Sequence, residues 1–126
     1  MIKFTSTTIR MLSMLGQRGA LGYTITELAK DNPSIIALSA DLCNTSGLDR
    51  FMNAYPKRMI NVGIAEQNLV GVAAGLADQG YIPFATTFAN FATMRACEWV
   101  RHFMGYMMSN VKLVGFGAGF EMELFG

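Results

Sequence analysis

Ile35-Ile36-Ala37-Leu38 is the stretch of sequence that decides the fold. This apolar and partly β-branched run predicts a short, buried strand. Before it, apolar residues recur at helical spacing over residues 18–30, until Asn32-Pro33 ends the pattern. After it, residues 39–47 are mostly polar, which predicts a loop that leaves the carboxyl end of the strand.

The rest of the chain continues to alternate between strand and helix patterns with short connections. Three more apolar runs predict strands, at residues 59–62, 82–86 and 111–114. Between and around them, helices are predicted near residues 48–52, at 65–77 and at 91–107. This alternation is typical of an α/β fold of three layers, a parallel sheet with helices on both faces. Ligands of such sheets bind outside the carboxyl ends of the strands, so we expect the site there.

Length and composition indicate a single domain that packs part of its surface against another chain or domain. The chain has 126 residues, of which 52% are hydrophobic and 15% are charged. Mean hydropathy is +0.30, which predicts that part of the apolar surface faces another chain or domain. Ten Lys and Arg balance nine Asp and Glu without a basic cluster. This balance argues against a nucleic-acid or membrane partner.

The two cysteines and the only histidine limit which cellular compartment and which metal sites the sequence allows. Cys43 and Cys97 are not needed as a disulfide in a domain of this size, so we interpret both as reduced thiols of a cytoplasmic protein. No signal peptide is recognisable at the start of the chain, and no uncharged stretch is long enough to span a membrane. With His102 as the only histidine, a zinc site has too few ligands, and we predict no metal ligand in this chain.

Glu66 stands where a predicted strand gives way to a predicted helix. A glutamate in the first helical turn often serves the helix dipole or a capping arrangement. The alternative is a carboxylate held at the mouth of the sheet to exchange a proton with a bound ligand. Composition does not choose between the two.

Three segments carry a resemblance to a known family: Ser39-Ala40-Asp41-Leu42, then Asn61-Val62-Gly63-Ile64-Ala65-Glu66-Gln67-Asn68, then residues 83–93. In order and spacing they resemble the pyrimidine-binding domain of the transketolase family of thiamine diphosphate enzymes, over about residues 18–115. Within this family, the segments resemble the C-terminal subunit of split transketolases. The resemblance implies a thiamine diphosphate-binding fold at residues 18–126, incomplete at its C-terminal end, after an N-terminal extension at residues 1–17.

The resemblance also implies roles for five residues. Glu66 matches the catalytic glutamate that hydrogen-bonds the ring nitrogen of the cofactor's aminopyrimidine. Phe88 and Phe91 match the aromatic residues that pack against that ring, and their spacing puts them on one helix face if a helix begins near them. Asp41 and Leu42 match residues near the thiazolium ring and the subunit interface, although Asp41 could also simply start a turn.

Substrate contacts match only in part. Arg18 and Thr45 match the Arg and Ser that hold the phosphate of a sugar-phosphate substrate, with a solvated helix-start arginine as the alternative. Gly117 and Phe125 stand where the family has a substrate-contacting His and Asp. The resemblance therefore does not imply the family's usual sugar-phosphate specificity for this chain.

A partner subunit is implied by a motif that the sequence lacks. The family binds Mg²⁺ and the cofactor's diphosphate through a Gly-Asp-Gly segment of a different domain, and this sequence contains none. The resemblance thus implies a homo- or hetero-oligomer that transfers a two-carbon ketol unit between sugars or sugar phosphates. Two alternatives stay open: the pyrimidine domain of a deoxyxylulose-phosphate synthase or a 2-oxo acid dehydrogenase beta chain, and a non-catalytic remnant that only binds a partner subunit.

Overall fold

A parallel sheet forms the centre of the molecule. The computed structural model describes residues 4–122. Within them, four strands run in parallel in the order β2-β1-β3-β4. Their bounds are β1 Ile35–Ser39, β2 Met59–Asn61, β3 Ile82–Phe88 and β4 Lys112–Phe116. The predicted α/β class and parallel sheet are confirmed, with strand ends shifted by a few residues.

Helices cover both faces of the sheet. They are α1 Ser6–Asp31, α2 Asp49–Ala54, α3 Glu66–Asp78 and a helical segment at residues 91–106, which we label α4. Single 3₁₀ turns lie at Pro56–Arg58 and Gly119–Met122. None of the helices in residues 4–122 is both long enough and apolar enough to cross a membrane.

β1 is buried along its whole length and contributes to two cores. Ile35 and Ala37 pack towards α1 and α2, and Ile36 and Leu38 pack towards α3. The first core also contains Ile25, Ala29, Leu48 and Phe51, and the second Ala40, Leu69, Ala73, Ala74, Ala85 and Val111. Burial of each large apolar side chain contributes about 2 kcal/mol to the free energy of unfolding. Since β1 has such side chains on both faces, it stabilises the packing of both helix layers. The predicted three layers are confirmed.

α1 begins earlier than its apolar pattern predicts. It starts at Ser6, not near residue 18, and it is broken at Gly16, where φ is 67° and ψ is 175°. Its N-terminus is capped by Thr5, whose Oγ1 accepts a hydrogen bond from the Thr8 backbone N–H at 3.2 Å. The segment 1–17 predicted as an extension therefore contains helix from Ser6 onwards.

α4 occupies the predicted position but is wound more loosely than an α-helix. Wide π-type turns span Phe91–Arg95 and Val100–Tyr106, with an α-helical turn between them. The expectation that Phe88 shares a helix face with Phe91 is wrong, because Phe88 is the last residue of β3. The two rings meet across the strand-to-helix turn instead. π-type turns are uncommon and often lie at functional sites.

Two glycines make room for the packing of helices. A Cβ on Gly22 of α1 would lie 1.8 Å from the carbonyl oxygen of Gly47, and Gly47 itself has a φ of 78°. This contact allows α1 to lie directly against the loop that follows β1. On α3, a Cβ on Gly71 would lie 2.6 Å from the indole of Trp99 on α4.

We expect Gly22→Ala to destabilise the fold by about 3 kcal/mol, because the new methyl group would collide with a backbone oxygen that has little freedom to move. Urea denaturation of the purified chain measures the change. Gly75→Ala on α3 is the matched control, since a Cβ there meets nothing within 4 Å. The control should be neutral or stabilise by up to about 1 kcal/mol. Equal stability of the two variants would contradict the close contact.

We also expect the two free thiols to differ in reactivity. Cys43 is half-buried, with Sγ 3.8 Å from Sδ of Met52, and burial together with the Asp49 carboxylate raises the pKa of its thiol. Cys97 is exposed on α4. Since the thiolate is the reactive form, iodoacetamide at neutral pH should modify Cys97 first. Peptide mass spectrometry measures both rates, which should converge in urea; equal rates in the folded chain would refute the prediction.

Candidate active site

Apart from Arg18, which lies on α1, the predicted site residues lie at or after the ends of strands at one edge of the sheet. The register brings the last residue of β1, Ser39, opposite Asn61 of β2 and Thr86 of β3. Phe88 at the end of β3 lies opposite Phe116 at the end of β4. The carboxyl ends of all four described strands therefore meet along one edge, as expected for the ligand site of a parallel sheet.

Glu66 is the first residue of α3, and its side chain is almost fully buried, at 3% exposure. Its Oε1 accepts a hydrogen bond from Nη1 of Arg95 at 2.9 Å. The Arg95 side chain is 43% exposed, so the cation reaches the buried carboxylate from the solvent side. A buried carboxylate needs such a partner, and the N-terminus of α3 also favours negative charge at this position.

Three phenylalanines and Arg95 extend the site from Glu66. The guanidinium carbon of Arg95 lies 3.9 Å from the centroid of the Phe91 ring. Phe91 meets Phe88 edge-to-face with centroids 5.5 Å apart, and Phe88 packs on Phe116 at 4.6 Å. We call these five residues the glutamate cluster. It joins three of the predicted residues to two that the sequence analysis missed, Arg95 and Phe116.

The two missed residues differ in how they could have been found. Arg95 follows Phe91 by four positions, and an aromatic residue and an arginine at this spacing lie close together on a helix. Phe116 comes close to Phe88 only through the pairing of β3 with β4. Nothing in the local sequence indicates that contact, since each residue lies two positions beyond the end of a predicted strand.

Asp41 and Leu42 lie in the turn after β1. Asp41 is exposed and has a left-handed backbone, with φ of 61°. Oδ1 of Asn61 accepts hydrogen bonds from the backbone N–H groups of Asp41 and Gly63, both at 3.0 Å, and its Nδ2 donates to Asp41 Oδ1 at 3.1 Å. Leu42 is half-buried, and its N–H donates to Ser39 Oγ at 2.9 Å. Asn61 thus links the ends of β1 and β2 and supports the turn at Asp41.

Arg18 and Thr45, predicted as a phosphate-binding pair, are in contact. Nη1 of Arg18 donates to the backbone carbonyl of Thr45 at 3.2 Å, and both residues are exposed. A cleft of about 390 Å³ lies beside Arg18 and is also lined by Phe116, Gly117 and Glu121. Phe116 is thus the one member of the glutamate cluster among the described residues that line the cleft beside Arg18.

Two further features of the described residues are a cavity on α4 and the lack of a cluster of metal ligands. A cavity of about 430 Å³ on α4 is lined by Glu98, Trp99, His102 and Phe103, and contains none of the predicted residues. Within residues 4–122, no group of three or more His, Cys, Asp or Glu side chains is arranged to hold a metal ion.

Comparison with known proteins gives consistent matches. The family described as "Transketolase, pyrimidine binding domain" matches residues 13–124. The putative transketolase C-terminal section of Methanocaldococcus jannaschii is 42% identical over 104 residues, 82% of this chain and 33% of that protein. The 6-deoxy-6-sulfo-D-fructose transketolase subunit SqwH of Clostridium sp. is 45% identical over 102 residues, 81% of this chain and 32% of that protein.

A solved structure described as "Split gene transketolase, inactive beta4 tetramer" superposes on the chain with a TM-score of 0.72 at 49% identity, covering 78% of this chain and 32% of that one. The chain thus spans about a third of the length of these relatives. The superposition agrees with the predicted thiamine diphosphate-binding fold, whose sheet and helices are described above. Because the family match extends over most of its length, this chain belongs to the transketolase family through its pyrimidine-binding domain.

Proposed function

We propose that this chain supplies the aminopyrimidine side of a thiamine diphosphate site and acts, together with a diphosphate-binding subunit, in two-carbon ketol transfer between sugars. The observation that carries the proposal is the Glu66 carboxylate, buried at the carboxyl edge of the sheet and linked through Arg95 to the Phe91 ring. The relatives' names support the reaction class, since two of them are called transketolase subunits or sections.

The residues present fit an aminopyrimidine. This ring is flat and presents nitrogen atoms at its edge, so it needs a hydrogen-bonding carboxylate and an aromatic surface. Glu66 offers the carboxylate at 3% side-chain exposure, and Phe91 offers a ring that Phe88 supports edge-to-face. The flat guanidinium of Arg95 already makes both kinds of contact. A flat group with N–H donors, such as an aminopyrimidine that carries a proton on its ring nitrogen, therefore suits this pair of residues.

Five residues of the chain have tasks in the proposed mechanism. Thiamine diphosphate, when bound, supplies an electron sink for the two-carbon fragment. Glu66 hydrogen-bonds the pyrimidine ring nitrogen and exchanges a proton there through its carboxylate oxygen. Low solvent exposure strengthens that interaction. Phe88 and Phe91 orient the ring, while Asp41 and Leu42 lie on the thiazolium side.

The remaining parts of the site belong to a partner in this proposal. The sequence has no Gly-Asp-Gly segment, so Mg²⁺ and the cofactor's diphosphate are held by the other subunit, and the site forms at the interface. We place the assembly in the cytoplasm, in agreement with two cysteines that are free thiols.

Binding of the cofactor tests the proposal directly. Thiamine diphosphate and Mg²⁺ are titrated by calorimetry into the chain alone and into its mixture with the diphosphate-binding subunit. Binding in the mixture supports an active site, whereas no binding in either sample supports a non-catalytic remnant. A 2-oxo acid offered as donor to the same mixture tests the alternative thiamine diphosphate enzymes.

We expect Glu66→Gln to reduce ketol transfer by at least about a hundredfold in the two-subunit assembly, because the amide cannot exchange a proton with the ring. Steady-state kinetics measure the loss, and circular dichroism shows that the fold is retained. Glu98→Gln is the matched control, since Glu98 is exposed on α4 outside the glutamate cluster. Full activity of Glu66→Gln would refute the role of Glu66.

We expect Arg18→Ala to raise KM for a phosphorylated sugar by about tenfold or more, since a guanidinium hydrogen bond to phosphate is lost. The same variant should leave KM for the unphosphorylated sugar nearly unchanged. Arg10→Ala, at an exposed position of α1, serves as the control. A parallel rise for both sugars would show that Arg18 does not recognise the phosphate.

A further inference from the structure

Arg95 makes both contacts that the proposed function gives to the aminopyrimidine. Its Nη1 donates to Glu66 Oε1 at 2.9 Å, and its guanidinium carbon lies 3.9 Å from the centroid of the Phe91 ring. We propose that Arg95 is a placeholder, whose guanidinium fills the ring position between Glu66 and Phe91 and leaves when the cofactor ring binds. This inference rests on the proposed function.

The two groups are alike in shape and in hydrogen bonding. A guanidinium is flat, carries an N–C–N edge with N–H donors and stacks on aromatic faces. An aminopyrimidine is also flat, has an N–C–N edge and stacks on aromatic rings. When its ring nitrogen takes up a proton, that edge carries N–H donors and a positive charge, as the guanidinium does. A carboxylate and a phenyl ring that accept one of them thus also suit the other, but both cannot occupy the same position at once.

Burial of Glu66 explains why a placeholder is needed. Its side chain is 3% exposed, and Arg95 is the cation that the described structure places on it. A buried carboxylate without a counter-charge strongly destabilises a fold. Arg95 therefore allows the chain to fold with the carboxylate in place before any cofactor is present.

The position of Arg95 explains how it can leave. Its side chain is 43% exposed, and it ends the wide π-type turn Phe91–Arg95, so its charge can move into water without unfolding a helix. Arg58, in contrast to Arg95, has a guanidinium that is fixed by several contacts. Its Nη1 and Nη2 donate to the backbone carbonyls of Asn32 and Ala29, and its guanidinium lies over Tyr55.

Replacement of Arg95 by methionine tests the inference. Arg95→Met removes the guanidinium but retains a long side chain. The cofactor ring then no longer has to displace a cation that is hydrogen-bonded to Glu66. We expect the Kd of thiamine diphosphate for the two-subunit assembly, measured by calorimetry, to fall about tenfold, as for the loss of a modest charged hydrogen bond. Arg101→Met, an exposed position on the same helix, should leave Kd unchanged. An unchanged or higher Kd for Arg95→Met would overturn the placeholder.

A small cation provides a second test, which stays informative if the variant is less stable than the wild type. In Arg95→Ala, millimolar methylguanidinium should refill the vacated position, raise the melting temperature and compete with thiamine diphosphate. Neither effect should appear in the wild-type assembly, or with methylammonium, which is not flat. Absence of competition in Arg95→Ala overturns the inference.

The two proposals fail in different ways. If the wild-type assembly and both Arg95 variants all fail to bind thiamine diphosphate, the proposed function fails, and the placeholder fails with it. If the wild type binds the cofactor but Arg95→Met does not bind it more tightly, or methylguanidinium does not compete in Arg95→Ala, the placeholder alone fails.

Discussion

Burial of β1 on both faces is the constraint on which the rest of the structure depends. Ile35 and Ala37 need apolar cover on one side and Ile36 and Leu38 on the other, so helices must lie on both faces. Helices that connect the end of one strand to the start of the next allow the strands to run in parallel, and parallel strands have their carboxyl ends at the same edge of the sheet. The loops that leave this edge are where the polar residues lie. The candidate site is thus positioned by a strand that contributes none of the predicted site residues.

The layered architecture could be predicted from the sequence because apolar periodicity reports burial directly. The same signal fails where burial is weak or the winding is unusual. At the start of α1, Ile9 and Met14 are exposed, so no buried stripe marks the helix before Gly16. In α4, the wide turns change the hydrogen-bonding pattern of the backbone, which an apolar pattern does not report. Both features depend on the backbone more than on side-chain burial.

The site could be predicted only in part, and for a different reason. Glu66, Phe88 and Phe91 were expected because they match motifs of a family, which the residues alone did not reveal. The partner of Glu66 lies 29 positions further along the chain, and only the packing of α3 beside α4 brings the two together. The charge balance of a buried group is therefore a tertiary property. It has to be read from a structure even when the group itself is recognisable.

The contact between Gly71 and Trp99 has a consequence for how this domain can evolve. The indole occupies the space that a methyl group on Gly71 would need. A lineage that acquires a side chain at position 71 must therefore first accept a smaller residue at position 99, whereas a smaller residue at 99 can arise while Gly71 is still present. The two positions should thus drift as a pair with a preferred direction, so that an ancestral substitution at 99 opens a path that is otherwise closed.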